Sequence, residues 1–218
     1  MGNLTLQGST SGQITLSPTT VAGTNTLTLP AVTGTVLASS SGTITVPSGS
    51  GTAAVQGLST NIVSGTSVAS TSGTSITFTG IPAYAKRITV IFNAVGTSST
   101  SIPQIQVGSG STTTTGYVGG AILNSSSNAT AAVITSGIPL NAGQTSVYRY
   151  VGHVVFTLIS ANTWIASGVL NTSASAGAQL TNVAGSCPTL SGALDRIIIT
   201  TVNGTDTFAA GSINILYE

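Results

Sequence analysis

The stretch that most narrows what this chain can become is residues 189–218, TLSGALDRIIITTVNGTDTFAAGSINILYE. Ile197, Ile199 and Thr201 fall on one side of an extended segment, and Arg196, Ile198, Thr200 and Val202 on the other. Ile213, Ile215 and Tyr217 alternate with Asn214, Leu216 and Glu218 in the same way. Period-two alternation of β-branched residues specifies strands. Neither side is cleanly polar, since Ile198, Val202 and Leu216 lie on the nominal outside. A strand that is apolar on both faces is covered on both, by a second sheet or by a neighbouring subunit.

Charge is nearly absent. Four Lys/Arg, three Asp/Glu and one His serve 218 residues, where ordinary domains carry about a quarter charged residues. Hydration therefore depends on the hydroxyls and amides of Thr, Ser, Asn and Gln. A formal charge of +1 supplies neither the clustered cations of a nucleic-acid footprint nor a polybasic membrane patch. No run of eighteen apolar residues exists, so neither a transmembrane helix nor membrane insertion is expected. The opening Met1-Gly2-Asn3-Leu4 has no charged region followed by an apolar one, so no Sec-type signal peptide is expected. Leu6 stands where N-myristoylation wants Ser or Thr. The single cysteine, Cys187, has no intrachain partner, which suits a reducing compartment or independence from oxidation.

The first aromatic residue is Phe78 and the first charged one Lys86. Before that step, short alternating runs recur at Leu4-Thr5-Leu6, Ile14-Thr15-Leu16, Leu27-Thr28-Leu29 and Ile44-Thr45-Val46, separated by Gly, Ser, Asn and Pro. Their spacing is that of a β-repeat. Ordering a residue costs about 1–2 kcal/mol of backbone entropy, and a buried Leu or Ile returns about 1.5–3 kcal/mol. With so few aliphatics, a lone chain loses that comparison, whereas copies wound together share them. Residues 1–46 are thus expected to be an extended attachment or shaft segment. Residues 47–73, rich in Gly and Ser, read as a connector. A disordered leader is the alternative. Gly49, Gly51 and Ala54 spell a dinucleotide fingerprint by chance, for no helix or acidic residue follows at the required distance.

From residue 74 a β-domain is expected to run to 218. Strands are predicted around Ile76–Phe78, Ile88–Phe92, 102–107, 116–123, 131–135, 147–159, 163–170 and 178–184, before the two described first. No helical period occurs. Short strands at intervals of about ten to fifteen residues indicate an antiparallel sandwich, jelly-roll-like. Phe78, Phe92, Tyr148, Tyr150, Phe156, Trp164 and Phe208 are the expected core aromatics.

Four segments resemble the C-terminal domain shared by many bacteriophage tail-fibre and virion-fibre proteins: 76–95 (ITFTGIPAYAKRITVIFNAV), 115–117 (TGY), 162–170 (NTWIASGVL) and 190–218, with its ending GSINILYE. The leader QGSTSGQITLSPTTVAGTNTLTLPAVTGTVL resembles repeat-like leaders of phage structural proteins. The resemblance implies a homotrimeric, β-rich component of a virion, assembled in the host bacterial cytoplasm. Its N-terminal segment, with Leu4, Leu6, Ile14 and Leu16, would attach to other virion proteins. Its C-terminal domain would stand exposed towards a host-surface glycan or protein. The loop 124–132 (NSSSNATAA) has no counterpart in the family, and Tyr117, Asn124, Ser125 and Asn128 are the candidate receptor-facing residues.

The inventory argues against enzymatic chemistry. Asp195, Asp206 and Glu218 are the only carboxylate side chains. Asp195 suits a rim ion pair with Lys86 or Arg87, and Asp206 sits in the turn composition of Asn203-Gly204-Thr205-Asp206. One histidine, His153, makes a zinc site only if a three-fold axis gathers three copies. There is no nucleophile elbow, and Cys187 before Pro188 reads as a small buried hydrophobe. No cofactor and no metal are expected. Besides the exposed-fibre reading stand a capsid-decoration or neck protein with a mechanical role, and a secreted lectin, which the start of the chain disfavours.

Overall fold

Alternating apolar and hydroxyl residues yield strands and turns alone: among the described residues there is no helix. The computed structural model describes residues 4–7, 10–11, 13–16 and 62–218, the last without 126, 144 and 173–178. The chain divides into two compact units, Met1–Val55 and Gln56–Glu218.

In the first unit, β1 (Leu4–Gln7) and β2 (Gln13–Leu16) pair antiparallel, with Leu4 opposite Leu16 and Leu6 opposite Ile14. The expected runs at 27–29 and 44–46 lie outside the described residues.

The second unit holds fourteen strands among the described residues. In order they are β3 (Val63–Ser64), β4 (Val68–Ala69), β5 (Ser75–Thr79), β6 (Arg87–Thr97), β7 (Pro103–Ser109), β8 (Ser111–Thr112) and β9 (Val118–Asn124). Then come β10 (Ala129–Ile134), β11 (Ile138–Pro139), β12 (Tyr150–Ser160), β13 (Thr163–Asn171), β14 (Leu180–Ser186), β15 (Arg196–Thr201) and β16 (Phe208–Tyr217). They form a nine-stranded sheet, ordered β10-β9-β14-β13-β12-β6-β16-β3 with β4 also on β16, and a five-stranded sheet, ordered β11-β7-β15-β5 with β8 on β7. Every pairing is antiparallel. The chain changes sheet repeatedly, for example between β5 and β6, between β6 and β7, and between β15 and β16. The two terminal strands that look alike in sequence therefore belong to different sheets.

One core joins the sheets. Ile197 and Ile199 of β15, with Ile105 and Val107 of β7, belong to the same buried cluster as Ile88, Val90 and Phe92 of β6 and Ile213 and Ile215 of β16. Phe78, Tyr150, Phe156, Trp164 and Phe208 are buried in it, and Tyr148 packs against it half-buried. Ile198, on the other face of β15, is only 7% exposed, with Gln106 and Thr77 beside it in register. The described part of the expected 47–73 connector is not free: β3 and β4 extend the edge of the large sheet along β16, and the buried Ser70 hydroxyl donates to the Ala210 carbonyl at 2.7 Å.

Candidate interaction surface

The four residues first expected at an exposed loop do not come together. Asn124, Ser125 and Asn128 close the β9–β10 hairpin: the Ser125 amide donates to the Asn128 carbonyl at 2.8 Å, and the Asn128 amide to the Ser125 hydroxyl at 3.1 Å. Tyr117 lies at the opposite end of β9, roughly 23 Å away at the rise of an extended strand. It is 1% exposed, which removes it from the receptor-facing set. Its hydroxyl accepts the Val107 amide at 2.8 Å and donates to the Thr113 carbonyl at 2.9 Å. The phenol body fills the core while its polar tip satisfies backbone groups, the usual arrangement for a buried tyrosine. Burial pushes its hydroxyl well above the ordinary phenol range. Leu4, Leu6, Ile14 and Leu16 are placed by register alone, as two directly opposed pairs of the β1–β2 hairpin.

All three carboxylate side chains are engaged, by arginines or by amides. Asp195 pairs with its neighbour Arg196, Nε to Oδ1 at 2.8 Å, rather than with Lys86 or Arg87. That hydrogen bond, helped by the Gly110 amide, holds the Asp195 carboxyl below its usual range. Arg87 pairs with Glu218. Asp206 accepts the Ser101 amide at 2.9 Å and the Asn203 side-chain amide at 2.8 Å, which ties two loops far apart in sequence. Cys187 is buried, and burial pushes its thiol up to about 12. Among the described residues no three His, Cys, Asp or Glu side chains gather as a metal site would need.

The feature that sequence reading missed is the outer face of the nine-stranded sheet. Alternation sends every second side chain away from the core, and the pairing register lines those residues up across strands. One such row runs Ala131, Ile122, Asn182, Val169, His153, Ile91 and Asn214, crossing seven strands without a break. The next row on the same face runs Val133, Gly120, Ala184, Ser167, Val155, Thr89 and Leu216. Neither row contains a charged residue. Flanking rows add Val118, Ile165 and Leu180, with Arg87 at the far corner already engaged by Glu218. Val133 and Val118 are 77% and 69% exposed.

The face is not flat. Between β9, β10 and β14 lies an apolar trough of about 390 Å³ over Gly120, Ala131 and Ala184, walled by Ile122 and Val133. A second, of about 560 Å³, lies between β6 and β12, lined by Thr89, Ile91, Val151, His153 and Val155. Ile165 and Val169 on β13, both exposed, lie between the two troughs.

No protein-family model, no curated protein and no solved structure matches this chain.

Proposed function

We propose that this chain is a non-enzymatic structural protein of a bacteriophage virion: a homotrimeric fibre whose N-terminal segment attaches to the particle and whose jelly-roll-like C-terminal sandwich stands exposed. The observation that carries this reading is the number of large hydrophobic side chains left in solvent in a chain with almost no charge. Thirteen are exposed among the described residues. A monomer with so much aliphatic surface and so little charge has little to oppose non-specific association, whereas a fixed assembly covers the same groups. The residues resembling phage fibre domains fit this reading, because 190–218 contributes β15 and β16, one interior strand to each sheet. The β9–β10 hairpin, with Asn124, Ser125 and Asn128 at its tip, is the part free to meet a host glycan or protein.

Sedimentation of the full-length chain at micromolar concentration tests the assembly, and the expected species has three times the 21.3 kDa chain mass. A well-folded monomer overturns the reading. Labelling the protein within intact particles tests the location, and a soluble protein never recovered with virions overturns that part.

A further inference from the structure

We infer that the outer face of the nine-stranded sheet is the surface through which copies of this chain bind one another; the inference rests on the assembly proposed above and names the face responsible. Three observations select a second copy as the occupant. The first is area: seven strands at about 4.8 Å spacing, carrying four same-face rows, present on the order of 700 Å² in projection. A standard stable interface buries about 800 Å² per partner.

The second is charge. The two central rows hold none, so the face offers no counter-charge to a partner's Lys, Arg, Asp or Glu. An ordinary protein surface, roughly a quarter to a third charged, would have to bury ions there without partners, which strongly disfavours it. A copy of the same face brings no such ions. The third is shape. The exposed Ile165 and Val169 of β13 lie between two troughs, one of them over Gly120, Ala131 and Ala184. The same surface thus carries both the protruding aliphatics and the hollows that accept them.

The test begins with Val169→Lys and Ile122→Lys, each at a half-exposed position on the central row. An ammonium is hydrated there in the free chain but stranded if the face is covered. Both variants are expected to keep the wild-type circular dichroism and to lower the association constant at least a hundredfold. Val202→Lys, equally exposed but just beyond β15 in the five-stranded sheet, should assemble like wild type. If both face variants assemble as wild type does, the chain is oligomeric through another surface, and this inference falls while the proposed assembly stands. A monomeric wild type overturns both. Loss of assembly in Val202→Lys as well also overturns the assignment to this face.

Should the lysine variants fail to fold, Ser167→Cys decides, since Ser167 is exposed on the second central row and the native Cys187 is buried. Its maleimide reaction is expected to slow at least tenfold on going from dilute monomer to assembled protein. Equal rates in the two states overturn the inference. Raising NaCl from 0.05 to 1 M should leave the wild-type association constant unchanged or higher; a fall of tenfold or more would mean that charges hold the interface, and the inference fails.

Discussion

The hydroxyl of Tyr117 takes the place of a strand neighbour for Val107, accepting its amide at 2.8 Å inside the core. Tyr117 immediately precedes β9 of the large sheet and Val107 belongs to β7 of the small one, so this bond ties the sheets together. The same hydroxyl donates to the Thr113 carbonyl at 2.9 Å. Tyr117→Phe keeps the ring and strands both backbone groups, and leaving a buried group unpaired costs about 1–3 kcal/mol. The expected result is a lower denaturant midpoint with an unchanged slope. An unchanged midpoint would show that water reaches Val107.

Ala94 and Gly211 face each other across a bulge in β6. Pairing runs Ala210 to Gly96 and Ser212 to Asn93, and on the other side Tyr150 to Val95 and Gly152 to Phe92, so β6 carries one residue more than both neighbours. Ala94 takes the strain, with φ 53°, a conformation that costs a non-glycine residue about 1–2 kcal/mol. Gly211, at φ +89°, lets the strands approach, for a Cβ there would lie 2.4 Å from the Asn93 carbonyl oxygen. Gly211→Ala is expected to destabilise by about 3 kcal/mol or more, through clash and backbone strain together. Ala94→Gly removes the strain but gains unfolded-state entropy, and should change stability by less than about 1 kcal/mol. Thermal unfolding of the two variants side by side checks the contrast.

Much of this fold is legible in the sequence because long strands with β-branched alternation announce themselves. The predicted strands around Ile88–Phe92 and over 163–170 correspond to β6 and β13. The two-residue strands β3, β4, β8 and β11 escape detection because two residues have no period; only their pairing partners define them. Tyr117 misleads for a different reason. It stands at the start of the predicted strand 116–123, and nothing local shows that Val107 and Thr113 will meet its hydroxyl and bury it. The ion pairs also differ from expectation: Arg196 is next to Asp195 and takes it, while Arg87 meets Glu218 because β16 ends beside the start of β6. The uncharged outer face was least legible of all. Each strand shows its own alternation, but the continuous row from Ala131 to Asn214 exists only once seven strands are in register.

Alkaline pH should unfold this protein. Burial raises the phenols of Tyr117 and Tyr150 well above their ordinary range and the Cys187 thiol to about 12. In the unfolded chain the thiol releases its proton near 8.5 and the phenols near 10. Between those values and the folded ones the native state binds more protons than the unfolded state, so stability falls as pH rises. Each group steepens the fall by about 1.4 kcal/mol per pH unit over its own window. Below about pH 8 none of the three contributes any slope. Absorbance at 295 nm followed through a pH titration should show two of the five tyrosines ionising only together with loss of near-ultraviolet dichroism. Smooth ionisation of all five in a folded protein would refute it.

Where the chain is cut should matter in a way that composition alone does not suggest. The composition step places the boundary near residue 74, whereas the compact unit begins at Gln56. The difference is β3, β4 and the segment after them. The Ser70 amide donates to the Gly211 carbonyl at 2.9 Å, and the Phe208 amide to the Gly73 carbonyl at 2.8 Å. Among the described residues no core residue precedes Ile76, so a fragment of residues 56–218 keeps that core and should unfold cooperatively at the temperature of the full chain's sandwich. A fragment of residues 74–218 loses the edge of the large sheet. The carbonyls of Ala210 and Gly211, which Ser70 engages through its hydroxyl and amide, and the amide of Phe208 then go without partners. At about 1 kcal/mol for each lost bond, the shorter fragment should be about 2–3 kcal/mol less stable by urea titration. Equal midpoints for the two fragments would mean that β3 and β4 lie on the sheet without holding it, and the domain would then begin where the aromatic residues do.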